Sequence, residues 1–330
     1  MKNNNYGRFT LTASALATIL ALAACGGGGS SSPAGSTSTT SSTQTATSAN
    51  VATPQYAASS AQLAIFNTVD AYRQQCGFPA LTENTTLDAS AQNHAIYMID
   101  NGYAVTDSEV SGNTGYTGAN YVARAVEAGY PSTATTLGTW GGSTGGSGSL
   151  TAPQFGDLEA NSWVSGVYHV GVLFNTGSIV GIGEVEASAS GTTVSNADIF
   201  VVQNTGAVAN GPLTFPCQGV TGVPYDGLVE SPTAPNVSAS GWGTPVLVEG
   251  NLTDTIVLSS GTMTGPSGNV TLQLLDSAND PNGELKSYDA VAYPTSPLQP
   301  NTTYTMSITG TYNGTAFSRS FSFTTGNSQG

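Results

Sequence analysis

The spacing of apolar positions changes character several times along the chain. Residues 11–24 form an almost unbroken run of small and apolar side chains. Residues 26–50 have no pattern: they are nearly all Gly, Ser, Thr and Ala, bury too little to fold, and read as a flexible tether. Ile65, Val69, Tyr72 and Cys76 then recur at helical spacing, with Leu63 and Phe66 widening the stripe. Gly77 and Pro79 end that helix. Thr85 and Asp88 are spaced as a capping pair for a second helix, which carries Leu87, Ala91, His94, Ala95 and Met98 on one face and stops at Asn101-Gly102. A third helix is predicted over residues 119–128, closed by Gly129, and a fourth over roughly residues 157–165. Strand-like runs follow at 170–174, 179–185 and 199–202. Helices first and strands later indicate an α+β fold, with helices packed on an antiparallel sheet.

Beyond Pro224, Pro232 and Pro235, which mark a linker, the period drops to two. Short alternating runs at 246–248, 255–258, 270–275, 304–308 and 317–323 are separated by Gly-, Asn- and Pro-containing turns. Strands at this spacing predict an all-β sandwich. Tyr304 serves there either as a corner tyrosine whose hydroxyl bonds back to the chain or as an ordinary half-buried strand residue.

Composition sharpens the setting. Twenty acidic and four basic residues follow residue 25, a net charge near −16, which disfavours nucleic acid and anionic membrane surfaces as partners. Residues 1–8 carry Lys2 and Arg8 ahead of an apolar run too short to span a bilayer, so residues 1–24 read as an export signal. Leu22-Ala23-Ala24-Cys25 resembles the lipobox of bacterial lipoproteins. That resemblance implies cleavage before Cys25 and acylation there, each buried methylene adding roughly 0.8 kcal/mol of membrane affinity. The expected organisation is a lipoprotein signal peptide at 1–24, a lipidated Cys25 with its tether at 25–55, an α+β domain at 56–217 and a β-sandwich at 218–330. The expected location is extracytoplasmic, anchored to a bacterial membrane.

Cys76 and Cys217 are the other two cysteines. In an oxidising compartment they suggest one disulfide, whose long loop would contribute on the order of 4–5 kcal/mol on the entropic model; the alternative is two free buried thiols. The two histidines are His94 and His169. His94 sits on an apolar helix face and reads as a satisfied core residue. His169 is either a general base or a structural histidine at a helix exit. Gly141 to Gly145 matches G-x-S-x-G, but that motif needs a strand before it and a helix after it, and here it lies in a Gly/Ser-rich stretch read as a loop.

Asn67-x5-Arg73-x2-Cys76-Gly77-Phe78-Pro79, Ala89-x-Ala91-Gln92-Asn93-His94-Ala95, Gly115-Tyr116-Thr117-Gly118-Ala119 with Arg124, and Ser165-x3-His169 followed by Gly181-Ile182-Gly183 together resemble bacterial CAP domains, the SCP-like extracellular family, over about 150 residues. The resemblance implies an α-β-α sandwich and a cleft with two histidines and two glutamates able to hold a divalent cation. Carried over by position, His169 is the second cleft histidine. Asp107 stands where the first would be, and Glu109 is retained. No acid stands near residues 136–138, where the other glutamate would fall. This eroded quartet implies no metal and no cofactor. The closing segment, from Pro297-Leu298 through Tyr304 to Phe321-Ser322-Phe323-Thr324-Thr325, resembles bacterial Ig-like domains. The reading this favours is a surface lipoprotein whose degenerate CAP domain binds a lipid, a cell-wall component or a protein. The alternatives are a residual hydrolase or protease using His169 with Glu109 or Asp107, and a structural or adhesive surface protein.

Overall fold

A computed structural model of the chain describes residues 49–133, 138–202, 208 and 210–330. The export signal, Cys25 and most of the tether lie outside the described residues, as does Thr136. In chain order the elements are α1 (Ala61–Gln75), β1 (Thr82–Glu83), α2 (Thr85–Asp100), α3 (Tyr121–Glu127), β2 (Thr139–Gly148), α4 (Ala152–Ser165), α5 (Val170–Leu173), β3 (Ile179–Ala189) and β4 (Thr192–Val202). The later elements are all strands: β5 (Leu213–Phe215), β6 (Thr221–Val223), β7 (Val246–Glu249), β8 (Ile256–Gly265), β9 (Gly268–Val270), β10 (Leu272–Asp276), β11 (Asp289–Pro294), β12 (Thr303–Tyr312) and β13 (Thr315–Thr325).

The first half is a four-stranded sheet of order β1-β3-β4-β2, antiparallel except for the parallel β1–β3 pair. Helix α1 follows the predicted stripe: Ile65, Phe66 and Val69 are buried, and Ser60 caps its start by accepting from Leu63 N. The cap of α2 differs from the expected pair. Asn84 accepts from the amides of Thr86 and Leu87, while Asp88 instead accepts from Tyr56 Oη at 2.7 Å and Ile182 N at 2.9 Å, tying α2 to β3. Gly181 and Gly183 let α2 lie directly on that strand. A Cβ at Gly183 would stand 2.1 Å from Gln92 N, and one at Gly181 2.2 Å from the Leu87 carbonyl carbon.

Two segments differ from the sequence pattern. The Gly/Ser-rich stretch is not a loop but strand β2, paired with β4 over its whole length. Its glycines are there because both faces are covered. A Cβ at Gly141 would meet the Tyr121 ring at 2.8 Å, one at Gly142 the His169 ring at 3.1 Å, and one at Gly146 Leu158 at 2.5 Å. Residues 170–174, alternating like a strand, form the short helix α5 instead. Tertiary hydrogen bonding overrides β propensity there: buried Arg73 donates to the carbonyl of Leu173 at the end of the helix, to those of Asn175 and Gly177 beyond it, and to Pro79 O at 2.8 Å.

The C-terminal region is sheet-rich, with a four-stranded sheet of order β10-β11-β7-β5 and a five-stranded sheet of order β6-β13-β12-β8-β9. Strands β7 and β11 are buried at every position, as expected of a sheet covered on both faces. The second cover is the α/β half. Phe174 stacks on Phe215 with centroids 3.6 Å apart, Phe78 meets Phe174 at 5.7 Å, and Tyr72 meets Phe215 at 5.4 Å. One hydrophobic cluster therefore runs from Ile65 through Phe174 and Phe215 to Phe323. Strand β5, ahead of Cys217, belongs to the C-terminal sheet through its pairing with β7. Cys76, at the end of α1, and Cys217 form a disulfide with Cα atoms 5.5 Å apart. The Tyr304 hydroxyl accepts from Gln299 N at 2.8 Å, so it does bond back to the chain.

The glycine contacts give a test. Gly183→Ala forces α2 off β3 and should lower stability in urea unfolding by about 1–3 kcal/mol. Gly171→Ala in α5, where an added Cβ meets nothing within 4 Å, should be neutral or slightly stabilising. Equal stability of the two variants would refute the close-approach account.

Candidate functional site

Two cavities of about 230 and 440 Å³ share Asp107, His169 and Ser231 among their lining residues. The sequence-derived trio is thus divided. Asp107 and His169 reach one cleft, whereas Glu109 lines neither cavity and lies in the interior.

Glu109 is committed to holding the chain. Its carboxylate accepts from Thr117 N and, at 3.1 Å, Gly118 N, and it faces His94 Nδ1 at 2.9 Å. Burial works against its charge, but the Thr117 amide, His94 and the Gly118 amide outweigh burial and hold its pKa below the usual carboxylate value. His94 is fully buried, and its Nε2 meets Thr106 O at 2.6 Å. Buried Arg124 donates to Asp107 O at 2.9 Å and lies 3.7 Å from Asp198 Oδ2. Burial pushes Asp198 up to about 6 despite that guanidinium. Asp198 accepts from Ser143 Oγ at 3.0 Å, and Ser143 N donates to Asp107 Oδ1 at 2.8 Å. This buried polar group fixes the loop that presents Asp107 against the edge of β2.

His169 is placed by a residue the sequence reading missed. Glu230, from the Pro-flanked linker, receives the amides of Val167 at 2.9 Å, Tyr168 at 2.8 Å and His169 at 3.0 Å, and faces His169 Nδ1 at 2.8 Å. Gly166 makes room for it: a Cβ there would stand 2.7 Å from Glu230 Oε1. Trp242, also past the linker's start, is 1% exposed and donates from Nε1 to Ser165 O at 2.7 Å. The turn between α4 and α5 is therefore gripped by the segment that leads into the C-terminal sheets. Burial lowers the His169 pKa, but the Glu230 hydrogen bond and charge, with Asp107 and Glu284 farther out, outweigh it and leave the pKa raised. With Nδ1 engaged, Nε2 is the nitrogen left for other partners. No local signal marks Glu230 as special, because it lies 61 residues from His169 in a stretch read as a linker.

The clasp predicts a pH signature. A folded-state imidazole pKa above the ordinary 6.5 adds stability that is full below the unfolded pKa and fades as pH rises through the folded one. Glu230→Gln keeps an acceptor for the three amides but removes the charge. Its stability deficit should be largest just below pH 6.5 and shrink on going to higher pH, and the His169 titration followed by NMR should move to lower pH. An unmoved His169 titration would contradict the pairing.

Residues 66–178 match the CAP family model, described as the cysteine-rich secretory protein family. No curated protein matches the chain. Among solved structures, a 1.5 Å crystal structure of an extracellular protein containing an SCP domain, from Bacillus anthracis str. Ames, is similar at 15% identity and a TM-score of 0.29. The match covers 44% of this chain and 40% of that one, so the chain spans less than half the length of that relative. The match to the family model identifies a CAP domain at residues 66–178 of this chain.

Proposed function

We propose that the chain is an extracytoplasmic binding module, anchored through lipidated Cys25, in which an eroded CAP cleft takes a ligand without transforming it. The C-terminal region is read as an Ig-like sandwich that walls one side of the cleft. The observation that carries this reading is the fate of the acids. Glu109 is spent on His94 and two loop amides, and the Asp107 carboxylate accepts from the β2 edge. Among the described residues no group of three or more His, Cys, Asp or Glu side chains is arranged to hold a metal ion. What lines the cleft beyond Asp107 and His169 includes the indoles of Trp140 and Trp163 and the rings of Tyr121, Tyr168 and Tyr288, surfaces suited to contact. The attachment proposed is Cys25, on the resemblance of Leu22-Ala23-Ala24-Cys25 to a lipobox; among the described residues no helix is long and apolar enough to cross a membrane.

A hydrolase remains the second reading, favoured by one observation: a buried carboxylate on His169 Nδ1 is how a general base is oriented. Glu230 fills that place, rather than Glu109 or Asp107.

Two measurements test the proposal. Screening lipids, glycans and wall fragments by intrinsic fluorescence should find a class that saturably shifts Trp140 and Trp163 emission, and His169→Ala should weaken it at least about threefold, in line with loss of one hydrogen bond, measured where the variant is fully folded. Silence across all classes counts against a binding role, and hydrolysis abolished by His169→Ala would establish the second reading. Metabolic labelling with radioactive palmitate should mark wild type but not Cys25→Ser; an unlabelled wild type refutes the anchor.

A further inference from the structure

The smaller cavity, of about 230 Å³, lies where the CAP domain meets the C-terminal sheets. Four aromatic side chains line it: Tyr121 of α3, Trp140 of β2, Tyr168 of the turn before α5, and Tyr288 just ahead of β11. Three carboxylates join them, Asp107, Glu284 and Asp289. Asp289 is 9% exposed, and its Oδ1 has no hydrogen-bond partner. Directly across the strand pair stands Glu249, 1% exposed, whose carboxyl meets that of Asp289 and no other hydrogen-bond partner. Burial raises both acids, Asp289 to about 6 and Glu249 well above the ordinary carboxylate value, where the neighbouring Asp289 adds to the effect. Asp289 Oδ2 accepts from Lys286 N at 3.3 Å and the exposed Lys286 charge acts on it, but a buried carboxylate beside a cavity still favours a positive group within that cavity.

Two cation-capable groups also line the cavity. His169 is already bonded to Glu230, and Lys286 is solvent-exposed. A divalent metal is poorly served: among the described residues no three His, Cys, Asp or Glu side chains are grouped to hold one, and the aromatic rings supply no hard ligands. A primary ammonium needs three acceptors. A quaternary ammonium needs none: it is attracted to the faces of Trp and Tyr rings and to one nearby carboxylate. The chain's net charge of −14 favours a cation throughout.

We propose that this cavity is a site for a small quaternary ammonium group of the choline type, held among Tyr121, Trp140, Tyr168 and Tyr288 with Asp289 as its counter-ion. The inference rests on the reading of the cleft as a binding site and names the chemistry it takes. The group reaches the cavity either as a free small molecule or as a lipid headgroup.

The test titrates the full chain with tetramethylammonium, choline and dimethylbutanol, the neutral isostere of choline, following Trp fluorescence and calorimetry. The two cations should saturate in the millimolar range or tighter, and dimethylbutanol should bind about tenfold weaker, the scale of a desolvated cation–aromatic contact. Asp289→Asn and Tyr121→Leu should each weaken choline at least about threefold, measured where each variant is fully folded. The isostere comparison is made on wild type and so survives a variant that fails to fold. Co-sedimentation of Cys25→Ser protein with phosphatidylcholine but not phosphatidylglycerol vesicles assigns the headgroup source; choline binding without co-sedimentation assigns the free molecule. The proposal is overturned if neither cation binds at about 10 mM, well above the expected range, or if the isostere binds equally, or if both folded variants bind unchanged. Failure of every ammonium probe while another compound still responds to His169→Ala sinks this inference alone; silence from all compounds sinks the binding reading with it.

Discussion

The Glu230 carboxylate holds the place where three parts of the molecule meet. It gathers three consecutive amides and an imidazole nitrogen within 3.0 Å, in a setting where it is 6% exposed. Hydrogen bonds to a charged group contribute about 1.5–3 kcal/mol each, so this one side chain outweighs most single contacts in the structure. It sets the turn that ends α4 and starts α5, and it fixes which nitrogen of His169 points away. It also binds the linker, and so the strands beyond it, to the CAP domain. Gly166 on one side and the Trp242 hydrogen bond to Ser165 on the other make the same junction possible and tight. Phe174 and Phe215 close it with apolar surface.

A carboxylate spent in this way is turned away from direct contact with a substrate, and other acids of the CAP domain are likewise committed to holding the chain. Glu109 braces the loop through His94, and Arg124 and Asp198 brace the Asp107 segment. Several of the polar groups lining the interior thus serve as scaffold, around a cleft rich in rings and carrying a few partly committed charges. That is the kind of cleft the proposed binding role calls for, with its second wall supplied by the sheets that follow.

Much of the fold was legible in the sequence because it rests on local periodicity. The stripe Ile65, Phe66, Val69 is the buried face of α1, and residues 179–185 and 199–202 lie in the two central strands. Where the pattern misled, a distant partner had decided the outcome. Gly141 to Gly146 read as loop because glycine is weak in strands, yet it is a strand whose missing side chains admit Tyr121, His169 and Leu158. Val170 to Phe174 alternates like a strand, yet the Arg73 and Glu230 hydrogen bonds around it make it helical. Asp107 and His169 were found by position and do share a cleft. Glu109 was found but faces inward. Glu230 was invisible, since an acid between prolines has no periodicity and its partner lies 61 residues away.

The most direct test of the account is a double-mutant cycle between Glu230→Gln and His169→Gln, read by urea unfolding at about pH 6, just under the unfolded imidazole pKa. If the carboxylate–imidazole contact is the junction described, the two changes couple by about 1 kcal/mol or more. Additivity within about 0.3 kcal/mol, as for independent sites, would mean that Glu230 does not hold His169, and the account of the cleft would fail with it.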